Sequence, residues 1–218
     1  MTTSVAKRSV AKRPPRWARR ADARPAELVQ AALDLFVDRG YSATRLDDVA
    51  QRAGVSKGTI YLYYASKEEL MRAAIRHNVA PMLEFAEQRV DQSTASTREL
   101  LREVVTNWLG GPDGGSSRGI LKLLVAECRH FPELGQFYVE EVMEGGKALW
   151  LRLLRRGIAR GELRAIDPER YLAVVTAPVT LLAIWRQSLG LFEKPSLDTA
   201  VYLDTYIDVL FHGIGNQP

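Results

Sequence analysis

Apolar residues recur at helical spacing along almost the whole chain. Leu28, Ala32, Leu35 and Phe36 stand at offsets of zero, four, seven and eight, one face of a helix, and Pro25 suits a first helical position. The pattern predicts a helix from Pro25 to about Gly40, then short helices over 46–53 and 57–63. Ser66-Lys67-Glu68-Glu69 places a serine at an N-cap and a glutamate three residues on, a capping box. It opens a long helix to about residue 91, in which Pro81 would kink the rod or free a carbonyl. A Ser/Thr-rich stretch at 93–97 precedes a helix over 98–109, and the Gly-rich run 110–119 is a loop. Further helices are predicted to about residue 130, from Pro132 toward 160, from Asp167-Pro168 to about 190, and over 197–212. The sum is nine helices and no strand, an all-α chain.

Residues 43–70 carry the most specific local pattern. Ala50 lies four positions before Gly54, and Ile60 follows six positions after it. A helix-turn-helix needs a small residue where its helices touch, a glycine where φ turns positive, and an apolar anchor on the second helix. Residues 56–63 then form the segment that would enter DNA.

Composition narrows the alternatives. With 218 residues, 46% of them hydrophobic, the chain can bury one large core or two smaller ones. A single cysteine, Cys128, excludes an internal disulfide framework and a cysteine-based zinc cluster. His77, His130 and His212 lack metal-ligand spacing, and no nucleophile–base pairing or phosphate loop is visible. No enzyme activity, metal or cofactor is therefore expected. The N-terminus lacks an apolar signal region, and the longest uncharged run, 171–185, is too short to span a bilayer. No membrane role follows.

Charge divides the chain further. Residues 1–24 hold eight basic side chains against Asp22 and contain the tandem repeat SVAKR-SVAKR, while the remainder is slightly acidic. The sequence predicts a basic disordered arm over 1–24, a helix-turn-helix domain over 25–70 and a helical regulatory and dimerisation domain over 71–218. Arg16, Arg19, Arg20 and Arg24 would track phosphates or enter a minor groove; the alternative is a solvated extension.

Gly40-Tyr41, Thr44, Val49-Ala50, Ala53 through Tyr61 and Ser66 through Leu70 together resemble the N-terminal signature of the TetR/AcrR family of bacterial one-component transcriptional regulators. The resemblance implies a nine-helix fold acting in the cytoplasm on a double-stranded DNA operator. It also implies DNA contacts from Lys57, Thr59, Tyr63 and Lys67, with Thr44, Arg45, Ser56, Gly58 and Leu62 beside them. An amine at Lys57 reaches a guanine edge or a phosphate, Thr59 a phosphate or thymine methyl, and Tyr63 a phosphate oxygen. Thr44 is alternatively an N-cap, and Lys67 alternatively a solvated first-turn residue. Val49, Ala50, Val55, Ile60 and Tyr61 are expected in the core. Asp47 departs from the basic or neutral residue many relatives carry, and either turns from the phosphates or restricts the bases accepted.

In the regulatory half, residues 171–185 are apolar nearly all round. The last helix carries one stripe of Leu203, Ile207 and Leu210 and another of Tyr202, Tyr206 and Val209. Such helices need partners on two sides, and the resemblance supplies one: a four-helix bundle with a second subunit. A homodimer of this kind sets recognition helices about 34–36 Å apart on a near-palindrome. Trp108, Phe131, Tyr138, Trp150 and Trp185, with Thr176 and Thr180, would line a pocket for a small, largely apolar effector, or serve as plain core. Cys128 joins them as a small buried residue or a thiol sensor. The rival is a DNA-binding protein with no small-molecule effector, architectural or partner-controlled, and a solidly packed regulatory half would favour it.

Overall fold

The computed structural model describes residues 16–110 and 119–214, and the side chains of 25–110 and 119–213. The helices in chain order are α1 (Arg16–Arg39), α2 (Leu46–Arg52), α3 (Lys57–Tyr61), α4 (Lys67–Gln92), α5 (Thr97–Trp108), α6 (Ile120–Glu127), α7 (Pro132–Tyr138), α8 (Glu144–Ala159), α9 (Pro168–Arg186) and α10 (Thr199–Ile214). A π-helical turn, Val139–Met143, joins α7 to α8 with helical dihedrals on both sides. The described residues therefore form nine helical rods and no strand, as the periodicity predicts.

One boundary moves. The helix expected to open at Pro25 begins at Arg16 and carries Pro25 inside it. A proline there removes one i→i−4 bond without obliging the rod to end. The predicted arm thus divides: 1–15 lie outside the described residues, and 16–24 continue α1. The other ends differ from expectation by a few residues, as helix termini do.

Local chemistry fixes the helix-turn-helix. Gly54 has φ +65°, and beyond it the Val55 N–H donates to the Ala50 carbonyl at 2.9 Å, closing α2 with a Schellman-type bond. Ser56 then caps α3, its hydroxyl accepting from the Thr59 N–H. Ser66 caps α4 by accepting from the Glu69 N–H at 3.0 Å, as the capping box predicts. Glu69 returns the bond one residue earlier than expected, to the Ala65 N–H at 2.6 Å.

Two cores share α4. In the first, Leu28, Ala32 and Phe36 of α1 join Val49, Ala50 and Ile60 of the helix-turn-helix and Leu70, Met71 and Ile75 of α4. Leu123, Leu134 and Phe137 belong to the same cluster, so it runs from the helix-turn-helix into α6 and α7 without a gap. Ala86 and Val90, farther along α4, enter a second core with α5, α8, α9 and α10. At the end of α4, the half-buried Arg156 donates to the carbonyls of Val90, Ser93 and Ala95 at 3.2, 2.7 and 2.9 Å. Those carbonyls lie in the last turn of the helix and the link after it, where acceptors otherwise go unpaired.

α10 corrects one predicted stripe. Leu203, Tyr206 and Ile207 are buried together, and the hydroxyls of Tyr202 and Tyr206 donate to the carbonyls of Pro178 and Val175 at 3.2 and 2.6 Å. The tyrosines therefore face α9, because burial requires a partner for each phenol. Val209 of the same predicted stripe faces outward, with Val201 on α10 and Val174 and Leu181 on α9; Val174 is 72% and Val209 66% exposed.

Gly54→Ala should destabilise the fold by about 1–2 kcal/mol, since space is open around its Cβ and only the left-handed backbone resists. Gly58→Ala, whose added Cβ meets only the Ser56 hydroxyl at 3.8 Å, should leave stability equal or raise it. Urea denaturation of the two variants measures the contrast.

Candidate nucleic-acid interface and effector cavity

The recognition helix α3 turns one apolar side chain inward and most of its polar surface outward. Ile60 is fully buried, while Lys57, Gly58, Leu62 and Tyr63 are exposed, Leu62 by 81%. Tyr61, expected in the core, is 52% exposed. The helix stops at Tyr61, and the next inward position falls to half-buried Tyr64, whose hydroxyl reaches the Pro25 carbonyl at 3.5 Å. Ser56 and Thr59 couple their hydroxyls at 2.9 Å, which orients both on the outer face. Arg45 is exposed at the start of α2, where its N–H donates to Asp48 at 3.1 Å. Asp47 pairs with the first residue of α3: its Oδ2 lies 3.0 Å from Lys57 Nζ, and both side chains are about half exposed.

Two of the residues expected at DNA are engaged within the fold. Thr44 is fully buried, and its hydroxyl donates to the carbonyls of Gly40 and Leu35 at 2.8 and 3.2 Å, at the end of α1. It is not the N-cap of α2 either, a place held by Arg45. Lys67 Nζ donates to the carbonyls of Tyr41, Thr44 and Ser42 at 2.9, 3.0 and 3.4 Å and sits 4.4 Å from the centre of the Tyr41 ring. Burial lowers its pKa, against the opposing pull of Glu127. A lysine at the first turn of α4 thus turns back to gather a turn otherwise rich in free acceptors.

The same turn is clasped from the regulatory side. Tyr41 meets Phe131 edge-on at 4.8 Å and Phe36 at 5.3 Å. Glu127, the last residue of α6, accepts the Ser42 N–H at 3.2 Å. Sequence pattern gave no sign of Glu127, because one acid at a helix end has no periodic signature.

Behind this clasp the regulatory half is not solid. A cleft of roughly 400 Å³, lined by Trp108, Tyr138, Val142, Trp150, Leu172, Thr176 and Thr180, opens between α5, the π-turn region and α9. Glu144, Lys147 and Glu169 stand at its rim. A narrower void of about 80 Å³ continues inward beside Val79, Met82 and Val179. Five of the eight predicted pocket residues therefore come together. Phe131 does not, being spent on Tyr41, and neither does Trp185, whose indole N–H donates to Glu193 at 2.9 Å. Cys128 also lies apart; it is half-buried rather than buried, with its sulfur 3.8 Å from the Val125 carbonyl.

The cleft's polar groups are unequal. The Thr176 hydroxyl is engaged with the Leu172 carbonyl at 2.9 Å. The Tyr138 and Thr180 hydroxyls and the indole N–H groups of Trp108 and Trp150 bond to no described residue. Burial raises the Tyr138 phenol to about 12, so it stays a donor throughout the physiological range. No group of histidine, cysteine and acidic side chains able to hold a metal occurs among the described residues, and no described helix is long and apolar enough to cross a membrane.

Known proteins match these two regions separately. A family model described as bacterial regulatory proteins of the tetR family matches residues 28–74, and a second, described as a tetracyclin repressor-like C-terminal domain, matches residues 91–189. The HTH-type transcriptional activator FasR of Mycolicibacterium smegmatis is 39% identical over 84 residues, which are 38% of this chain and 38% of that one. The HTH-type transcriptional repressor KstR2 of Rhodococcus jostii is 29% identical over 196 residues, covering 88% of this chain and 92% of its own. In fold, the chain is similar to the transcriptional regulator FadR of Bacillus subtilis, solved in complex with stearoyl-CoA: TM-score 0.66 at 20% identity, over 87% of this chain and 98% of that one. The matched models and relatives are regulators, not enzymes.

Tyr41 and Tyr138 give the fold an alkaline limit. Burial, aided at Tyr41 by Glu68, Glu133 and Glu127, lifts each phenol from 10.0 to about 12 in the folded chain. The folded state then holds protons the unfolded state releases, so their contribution is complete below about pH 10 and is lost as pH rises toward 12. Urea midpoints should fall between pH 9 and pH 11, and less steeply in Tyr138→Phe.

Proposed function

Because the chain belongs to the TetR family of bacterial regulatory proteins, whose members bind DNA and dimerise, we propose that it is a homodimeric repressor, acting in the cytoplasm, released from a near-palindromic operator by an effector in the α5–α9 cleft. The observation that carries this reading is the route from cleft to recognition helix. Leu121 of α6 lines the cleft, and Glu127, at the end of that eight-residue helix, bonds the turn that Lys67 holds against α4. A ligand that fits the cleft better in one placement of α6 than in another shifts the position of α2 and α3, and with it the spacing of two recognition helices.

On this reading Ser56, Lys57, Gly58, Thr59, Leu62 and Tyr63 meet the major groove, with Arg45 on the flanking phosphates. The basic segment before Pro25 supplies most of the attraction for phosphate, because the body of the chain carries none in excess. The exposed valines and leucine of α9 and α10 bury each other across the dimer axis. For the effector, apolar walls with four unengaged donors suit an apolar molecule bearing oxygen acceptors. The acyl thioester in the name of the FadR complex has this chemistry. The cleft weighs against the rival of a DNA-binding protein without a small-molecule effector.

Mobility shift on DNA upstream of its own gene, with and without stearoyl-CoA, tests the reading; retained binding that the thioester relieves is expected. No retardation at moderate salt would exclude sequence-directed DNA binding. Isothermal titration of the same ligand should show Tyr138→Phe weakening it about three- to tenfold and Thr176→Val leaving it nearly unchanged, since the Thr176 hydroxyl is already engaged.

A further inference from the structure

Residues 45–63, the helix-turn-helix surface, are short of free cations. They contain three basic side chains, and two are already neutralised: Arg52 by Asp34 at 2.9 Å and Lys57 by Asp47 at 3.0 Å. Lys57 is the first residue of the recognition helix, so whatever DNA approaches its ammonium also meets the Asp47 carboxylate. The second oxygen of that carboxylate accepts no hydrogen bond from a described residue. The pair spans two helices, α2 and α3, whose mutual placement is fixed by the Gly54 turn and by buried Val49, Ala50 and Ile60.

We propose that Asp47 is a specificity-determining residue, which together with Lys57 reads one G·C pair in each half-site. The proposal rests on the DNA-binding reading above. A carboxylate at this place is repelled by phosphate oxygens and by the acceptor atoms of guanine and thymine. It is welcome only beside an exocyclic amine. The major-groove edge of a G·C pair offers two acceptors, guanine N7 and O6, and then a donor at its end, the cytosine N4 amine, whereas in an A·T pair the adenine N6 amine lies between two acceptors, N7 and thymine O4, which oppose a carboxylate. The protein presents the complement, an ammonium donor and a carboxylate acceptor side by side. An exposed pair of this kind is held weakly, so both groups turn to the base edge while staying in contact with each other. The aspartate also cancels the charge with which Lys57 would otherwise displace a counterion, so the helix reads bases at this point and contributes little to phosphate binding.

Selection from random-sequence duplexes by the full-length protein, followed by salt titration on the selected site, tests this. The wild-type chain should select a G·C pair at one position of each half-site. Asp47→Ala should relax the preference there about tenfold while leaving the other positions intact. Its affinity should also fall more steeply with salt, by about 0.9 in log–log slope for each subunit, as Lys57 turns to a phosphate. Lys57→Ala should relax the same position, and the double variant should lose less than the two losses added. Selection of the wild-type sequence by Asp47→Ala, with an unchanged salt slope, would overturn the proposal alone. Failure of the wild-type chain to retain any duplex would overturn the functional reading and this proposal with it.

Discussion

The Lys67 ammonium gathers three carbonyls of the turn between α1 and α2 and stacks on the Tyr41 ring within it. That turn carries the chain into the helix-turn-helix, so the bond fixes where α2 and α3 sit relative to α4. Removing the ammonium would leave polar groups of a partly buried turn without their common donor, a larger penalty than the loss of one surface contact. At the far end of the same helix, Arg156 collects the carbonyls of Val90, Ser93 and Ala95. α4 is thus held by a cation at each end, while its middle belongs to both cores. Displacement at one end is transmitted along a packed rod and not absorbed in a linker.

Much of the fold was legible because helical periodicity and turn chemistry are local. The α1 face, the Gly54 turn and the Ser66 cap follow from short-range rules, and the structure places each where its residues require. The rest depends on distant partners. Lys67 and Thr44 have polar side chains beside the helix-turn-helix, and sequence alone does not show that the turn from Tyr41 leaves carbonyls within their reach. Which stripe of α10 faces outward was not legible because Tyr202 and Tyr206 are apolar by ring and polar by hydroxyl. Only the carbonyls of α9 decide which property governs their direction.

The cleft was partly legible for a similar reason. Trp108, Tyr138 and Trp150 are large, and large residues border any void their packing leaves open. Phe131 and Trp185 are equally large, but Tyr41 and Glu193 claim them. The small and flexible lining residues, Val79, Met82 and Leu172, have no signature that separates a wall from a core. Asp47 carried the opposite lesson: its departure from the expected residue type was visible, and its partner on α3 gives that departure a meaning.

The π-turn at Val139–Met143 divides the rod from Pro132 to Ala159 into two angular registers. Each residue of an α-helix advances about 100° round the axis, so one residue more or less here rotates everything beyond it by that amount. Leu134 and Phe137, above the turn, are indexed to the core of the DNA-facing end; Leu149 and Leu153, below it, are indexed to the bundle. The turn acts as a gear between them, with Val139, Val142 and Met143 on the cleft wall. Through insertion or deletion at this point, descendants of the chain can reshape the chamber they offer a ligand while the helices that read DNA keep their seat.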